Sequence, residues 1–203
     1  MLSNLLSLVV ISFTDVMAPG PMFAVTLARS YRSPWAGVFI ALGHAVIEVP
    51  LIMLIYFGFS ELFQKNITQI LLSLASGAMV IWMGIDLFRT RNKMSSNEKE
   101  VKGTAFKAGI IMSGLNPFFL LWWATVGSML ISRFVGYGIT GMTAFTLAHW
   151  SCDLIWLSFV SAIVYKTHAF WGKKVQELIF IACSALLVGF GGYFFISGLK
   201  LIA

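Results

Sequence analysis

Five ionisable residues stand inside long apolar stretches of this sequence, where an unpaired charge is costly. They are Asp15, His44, Glu48, His149 and Asp153. Each histidine precedes an acidic residue by four positions, so on a helix the two side chains share a face. Imidazoles titrate near physiological pH, and histidines with carboxylates also suit divalent cations. The pattern predicts a buried polar site that carries protons or another solute.

Two proline motifs interrupt the helices that must position these residues. They are Pro19-Gly20-Pro21 and Asn116-Pro117. Proline removes a backbone donor and disfavours the helix before it. In lipid, a broken helix needs other protein or a water-lined cavity to satisfy the freed carbonyls. We therefore expect the two breaks, together with Asp15, to line a translocation path. Trp122 and Trp123 follow the second break and are weaker candidates, since tryptophans in membrane helices also serve as packing or interfacial anchors.

The composition is that of an integral membrane protein. Of 203 residues, 59% are hydrophobic and 11% charged, and the mean hydropathy is +0.88. Soluble domains carry about 25% charged residues. The net charge is +6, but the basic residues lie between the apolar runs, where they orient helices and touch anionic lipid. Nucleic acid is therefore not an expected partner.

Hydropathy predicts an all-α protein with six membrane-spanning helices. The predicted spans are 5–28, 36–60, 67–88, 106–132, 137–165 and 176–200. The hydrophilic stretch 89–105 reads as a cytoplasmic linker. It separates a first three-helix unit, 1–88, from a second, 106–203, within one membrane domain.

The loop charges predict an orientation in the cytoplasmic membrane of a prokaryote. Alternate loops carry eleven basic residues on one side of the membrane and three on the other. By the positive-inside rule the eleven are cytoplasmic, so both termini are expected outside. No Lys or Arg precedes Arg29, which favours a retained first span over a cleaved signal peptide.

The two halves resemble each other. Pro19 aligns with Pro117 at an offset of 98, and both His/acid pairs align at an offset of 105. Because three spans are an odd number, the second copy must enter the membrane from the opposite face. The sequence therefore predicts a 3+3 inverted repeat with broken first and fourth helices, an architecture that places substrate near the midplane.

The two motifs also carry a family resemblance. With A-P-G-P at 18–21 and S-G-L-N-P-F-F at 113–119, the chain resembles the LysE-type translocators, which export lysine, homoserine or threonine. The resemblance implies that the Pro-Gly-Pro and Asn-Pro residues form the core of the translocation site. Two departures indicate a divergent subgroup: Phe118 stands where many members have Lys, and Asp15 where a hydrophobic or small residue is common.

The predicted function is a secondary transporter that exports small solutes, most consistently amino acids, in exchange for protons. No G-x-x-x-x-G-K-[ST] motif is present, so a gradient must supply the energy. No cofactor or resident metal is predicted, and six short spans are compatible with a homodimer.

Three alternatives stay open at this stage. The His/acid pairs could serve a divalent-cation exporter instead. A membrane enzyme that shuttles electrons through Cys152 and Cys183 is disfavoured, because these cysteines lie on different spans without a C-x-x-C motif. A structural or regulatory membrane protein is the third.

Overall fold

The structure is a computed structural model, and it describes residues 1–17, 20–59, 65–90 and 102–202. Its α-helices in chain order are α1 (Leu2–Val16), α2 (Pro21–Ser30), α3 (Ala36–Tyr56), α4 (Asn66–Thr90), α5 (Lys102–Gly114), α6 (Pro117–Trp122), α7 (Ser128–Val135), α8 (Gly138–Thr167) and α9 (Lys173–Lys200). A π-helical turn, Trp123–Gly127, joins α6 to α7, and a 3₁₀ turn, His168–Phe170, follows α8. None of the described residues lies in a β-strand, which confirms the helical class.

Four helices are long and apolar enough to cross a membrane by themselves: α3, α4, α8 and α9. Two further segments pass the same test only as bent pairs. The first pair is α1 with α2, at 70°, and the second is α5 with residues Phe119–Val135, at 58°. If each bent pair crosses once, the described chain has six spans, in the order that hydropathy predicts.

Each bend ends where a proline starts a new helix. Pro21 is the first residue of α2, preceded by Gly20 in an extended conformation. Pro117 opens α6, and Asn116 caps it, because its Oδ1 accepts a hydrogen bond from the N–H of Phe119 at 3.3 Å. The first position of a helix has no N–H partner in any case, so proline is tolerated there. The predicted breaks are therefore also helix starts.

The distribution of polarity is inverted relative to a water-soluble protein. Large apolar side chains cover the outside of the helices, among them Leu6, Leu71, Phe159 and Ile196. The polar side chains that are buried include His44, Glu48, His149 and Asp153. Lipid accommodates an apolar exterior, and polar groups must then find partners inside the bundle.

Helix α3 is the element that the site depends on, and it packs closely against both α5 and α8. Glycines allow the approach to α5: Gly43 lies against the carbonyl of Phe106, and Gly109 against the carbonyl of Ile40. A side chain at either position would collide with the facing backbone. Towards α8, Trp150 Nε1 donates a hydrogen bond to the carbonyl of Ala41 at 3.0 Å. Elsewhere in the described part of the chain, the most extensive contact between two helices joins α4 to α9.

Helix covers both ends of the predicted linker, since α4 continues to Thr90 and α5 begins at Lys102. Positions 91–101 lie outside the described residues. The division into two three-helix units and the side on which the termini lie stay predictions.

Candidate functional site

A cavity of about 260 Å³ opens beside the two bends. Its wall combines the end of α1 and the start of α2 with residues from α3, α6, α8 and α9. Of the twelve candidate site residues that the sequence indicates, eleven lie in the described part of the chain. Those that line the cavity are Asp15, Gly20, Pro21, His44, Glu48, Asn116, Trp122, Trp123, His149 and Asp153. Pro117 is buried and is not part of the wall, and Pro19 lies outside the described residues.

The two His/acid pairs meet at Glu48. Its Oε1 lies 2.9 Å from Nε2 of His44 and 3.1 Å from Nε2 of His149. All three side chains are buried, and Glu48 is 0% exposed. Sequence spacing alone put one histidine beside each acid; the structure places both histidines on one carboxylate oxygen.

A serine holds the far side of each imidazole. Nδ1 of His44 lies 2.6 Å from Oγ of Ser113, and Nδ1 of His149 lies 2.6 Å from Oγ of Ser12. Each serine donates its own hydroxyl hydrogen to the carbonyl four residues earlier, at 2.7 Å for Gly109 and 2.8 Å for Leu8. Each Oγ therefore accepts a hydrogen bond from the imidazole, so both Nδ1 atoms carry a proton.

This arrangement fixes how many protons the centre holds. Each short contact between an Nε2 and Glu48 Oε1 needs one hydrogen between its two atoms. Glu48 can supply at most one of the two, since a carboxyl group carries a single proton. At least one histidine is therefore an imidazolium when both hydrogen bonds are made. The three side chains form a proton-sharing centre inside the bundle.

Two further carboxylates stand beside this centre. Oδ2 of Asp153 lies 4.0 Å from Nε2 of His44 and 3.9 Å from Nε2 of His149. These distances allow electrostatic attraction but exceed hydrogen-bond length. Asp15, on the last turn of α1, is exposed to the cavity that both histidines and Glu48 also line. Three acidic groups and two imidazoles thus share one enclosed space.

Residues 13–198 match the model of the family described as LysE type translocator. The chain belongs to this family. A translocator of this family is a multi-pass membrane protein that exports small solutes and is not an enzyme.

Two relatives align with the LysE-type translocator over almost its whole length. One, from Pseudomonas aeruginosa, is named "Chemotactic transduction protein ChpE" and is 25% identical, covering 95% of this chain and 97% of its own. The other, from Bacillus subtilis, is named "Putative amino acid efflux protein YcgF" and is 27% identical, covering 96% of each. No solved structure matches the translocator.

Aromatic rings enclose the imidazoles of the translocator. The ring of Phe119 stands edge-on to His44 with centroids 5.1 Å apart, and Trp123 stands edge-on to His149 at 4.9 Å. Trp122 lies 5.7 Å from His149, and Phe145 stacks on it at 6.2 Å. These contacts surround both imidazoles with aromatic ring surface. The π-helical turn begins at Trp123, and π turns within helices are frequent at functional sites.

Two buried atoms at the cavity have no hydrogen-bond partner among the described residues. They are Oε2 of Glu48, an acceptor, and Nε1 of Trp123, a donor. A buried polar atom without a partner costs free energy, so such atoms mark where a bound molecule would contribute. The acceptor and the donor together fit a solute that carries both kinds of group.

The centre also offers ligand atoms to a metal ion. One atom each from His44, Glu48 and Asp153 lies within 4.8 Å of the others, and all three residues are buried. Nitrogen and oxygen ligands in this number suit a divalent transition metal. This geometry is compatible with the alternative function of a divalent-cation exporter.

Sequence reasoning missed the serines and four of the aromatic residues. Ser12 and Ser113 could have been noticed, because each lies one or two helical turns before a proline break. Serine in a membrane helix commonly bonds its own backbone, which leaves no signal for a second partner. The cavity is also lined by Phe23, Phe119, Phe190 and Phe194. Nothing in their spacing separates them from lipid-facing or packing residues.

Proposed function

We propose that this translocator exports an amino acid, or a zwitterion of similar size, in exchange for protons. The observation that carries the proposal is the proton-sharing centre of His44, Glu48 and His149, which opens onto the same cavity as Asp15 and the start of α2. Family membership supports export, and the name of the Bacillus subtilis relative supports amino acids.

The cavity offers separate partners for the two charges of an amino acid. Met22 and Phe23 lie in the first turn of α2 and line the cavity. The first N–H groups of a helix have no intrahelical partner and favour an anion, so the substrate carboxylate would bind there. Nε1 of Trp123 would add a donor. The substrate ammonium would lie among the carboxylates of Asp15, Asp153 and Glu48.

Exchange follows from competition for these carboxylates. An ammonium group beside Glu48 and Asp153 repels the imidazolium charges that the same carboxylates stabilise. Substrate and excess protons would therefore occupy the cavity in turn. Because each occupant leaves before the other binds, the movement of one down its gradient would drive the other in the opposite direction.

Efflux from proteoliposomes tests this proposal. Vesicles containing the whole protein are loaded with labelled amino acids, and release is measured with and without a pH gradient. We expect release of one or a few species only with the gradient. Release that ignores the gradient, or no release of any amino acid, would overturn the proposal.

The substitution Asp15→Asn addresses coupling directly. It preserves the size of a cavity-exposed side chain while removing its charge, so we expect gradient-driven efflux to be abolished and the thermal unfolding temperature to stay unchanged. Glu177→Gln, an exposed acid on α9, is the matched control and should transport normally. Normal gradient-driven efflux by Asp15→Asn would refute the role of Asp15.

We further propose that the translocator is a 3+3 inverted repeat with both termini outside. Contacts that cross between the halves support this arrangement: Ser12 of the first half holds His149 of the second, and Ser113 holds His44. Both bends also restart a helix at proline. Labelling of single cysteines, introduced at Ser3 and Ser95 after replacing both native cysteines, tests it. Membrane-impermeant reagent added to intact cells should label position 3 and spare position 95.

The centre favours one second candidate, export of a divalent cation. Three ligand atoms within 4.8 Å and an unpartnered Glu48 Oε2 are the specific observations. This function predicts that a transition-metal ion raises the unfolding temperature of the purified protein, and that His44→Ala and His149→Ala remove the effect. His168→Ala, outside the cavity, is the control. If no metal changes the unfolding temperature, cation export is excluded and amino-acid exchange is favoured.

A further inference from the structure

A second cavity, of about 400 Å³, lies between α2, α4, α5 and α9. It is separate from the proton-sharing centre, and the two cavities have no lining residue in common. Its polar end is formed where α2 and α4 finish and α5 begins. Positive-inside asymmetry assigns that end of the bundle to the cytoplasmic face.

The polar end carries an excess of positive charge. Arg29, Arg32 and Lys107 line it, against one acidic residue, Asp86. Nε of Arg32 is buried and has no hydrogen-bond partner among the described residues. A buried donor on a cation is costly without an acceptor, and an anion would supply one. This end therefore fits an anionic group such as a phosphate.

The remainder of the cavity is apolar and faces the membrane. Met79 and Met83 of α4 continue the wall away from the charged end, and Ile111 faces them from α5. Trp82, also on the wall, is 60% exposed on the outside of a membrane-spanning helix. The cavity consequently opens sideways, toward lipid. A small water-borne anion would fill the charged end and leave the long apolar part empty.

We propose that this cavity binds one anionic phospholipid. The phosphate lies among Arg29, Arg32 and Lys107, and one acyl chain runs along the methionines and Trp82 of α4. Basic pockets between membrane helices on the cytoplasmic side bind anionic headgroups in this manner. The bound lipid would join α2, which borders the transport cavity, to α4 and α5.

Native mass spectrometry of the whole protein in detergent, with phosphatidylglycerol and phosphatidylcholine offered separately, tests the proposal. We expect one phosphatidylglycerol to be retained in clear preference to phosphatidylcholine. Arg32→Gln and, as an independent variant, Lys107→Gln should each weaken this retention by about fivefold. Arg32→Lys should keep most of it. Lys166→Gln, an exposed cation at the end of α8, is the control and should bind as the native chain does.

Several outcomes would overturn the proposal. Equal retention of the two lipids would show that charge does not select the occupant, and equal binding by native protein and both glutamine variants would place the lipid elsewhere. Displacement of phosphatidylglycerol by inorganic phosphate would mark a small-anion site instead. Displacement by an amino acid would mark a substrate vestibule. Because binding is measured without transport, failure of amino-acid efflux leaves this result untouched, and the reverse also holds.

Discussion

The two His/acid pairs are equivalent in sequence and different in the structure. His44 and His149 are each held by a serine at 2.6 Å, and each lies within 3.1 Å of Glu48. Asp153, the counterpart of Glu48, approaches the same two nitrogens only to 4.0 and 3.9 Å. Glu48 is therefore the hydrogen-bonded hub of the centre, and Asp153 lies beside it without a hydrogen bond to either imidazole. The difference teaches that Glu48 holds the imidazoles together, while Asp153 would change its partner in the proposed exchange.

Replacing the hub should have the largest effect. In Glu48→Gln the amide oxygen can still accept both imidazole hydrogens, but it is uncharged and leaves an imidazolium buried without its nearest counter-charge. Breaking a buried pair in this way costs about 3–5 kcal/mol. We expect a large fall in thermal stability and no gradient-driven efflux. Unfolding in detergent and efflux from proteoliposomes measure the two effects. Native stability in this variant would break the distinction between the two acids.

The substitution Gly43→Ala should lower the free energy of unfolding and displace His44 from its serine. The added methyl group collides with the carbonyl of Phe106, so α3 must move away from α5 and His44 away from Ser113. Overpacking of this kind costs about 1–3 kcal/mol. Gly189→Ala, whose added methyl group meets no atom within 4 Å, is the matched control. Equal unfolding temperatures for both variants would show that the α3–α5 contact does not hold His44.

The serine variants test whether the two arms of the centre, His44 with Ser113 and His149 with Ser12, are equivalent. Ser12→Ala and Ser113→Ala each leave a buried imidazole N–H without its acceptor, at a cost of about 1 kcal/mol. We expect similar losses in the free energy of unfolding and a partial loss of efflux in each. A much greater loss from one serine would mean that the halves differ there, as they do at the acids. Thermal unfolding of both single variants and of the double variant decides this.

The smallest change in stability is expected for Asp153→Asn. Because Asp153 makes no hydrogen bond to either imidazole, losing its charge should lower the free energy of unfolding by less than about 1 kcal/mol. Efflux at a fixed pH gradient should nevertheless fall, if Asp153 exchanges partners with the substrate ammonium. A variant that loses stability as Glu48→Gln does would contradict the division of roles.

Much of the fold was predictable because it depends on hydropathy and on proline. Six apolar segments and two breaks follow from side-chain transfer energies and from the missing N–H of proline, and both are local properties. The shared face of His44 and Glu48 follows from helical periodicity. These are the parts of the site that one helix determines by itself.

The rest depends on how helices approach one another, which residue spacing does not encode. Convergence of both imidazoles on Glu48 requires the close crossing of α3 and α8 at Gly37, which lies against the carbonyl of Leu157, and a glycine in a membrane helix has many other uses. Ser12 and Ser113 gain their roles only from a partner on a distant helix. The family motif placed both Asn116 and Pro117 in the translocation site. In the structure Asn116 lines the cavity, whereas Pro117 is buried as the first residue of α6.

The serines also determine where a proton cannot go. From Glu48 each arm runs outward through an imidazole and a hydroxyl and stops at a backbone carbonyl, that of Leu8 or Gly109. A carbonyl oxygen has no hydrogen to pass on, so neither arm can act as a wire. In the proposed exchange, protons would therefore enter and leave through the middle, past Asp15 and Asp153. In that exchange the bundle would hold charge at its centre while neither arm conducts protons, which would keep the membrane gradient from leaking away between transport cycles.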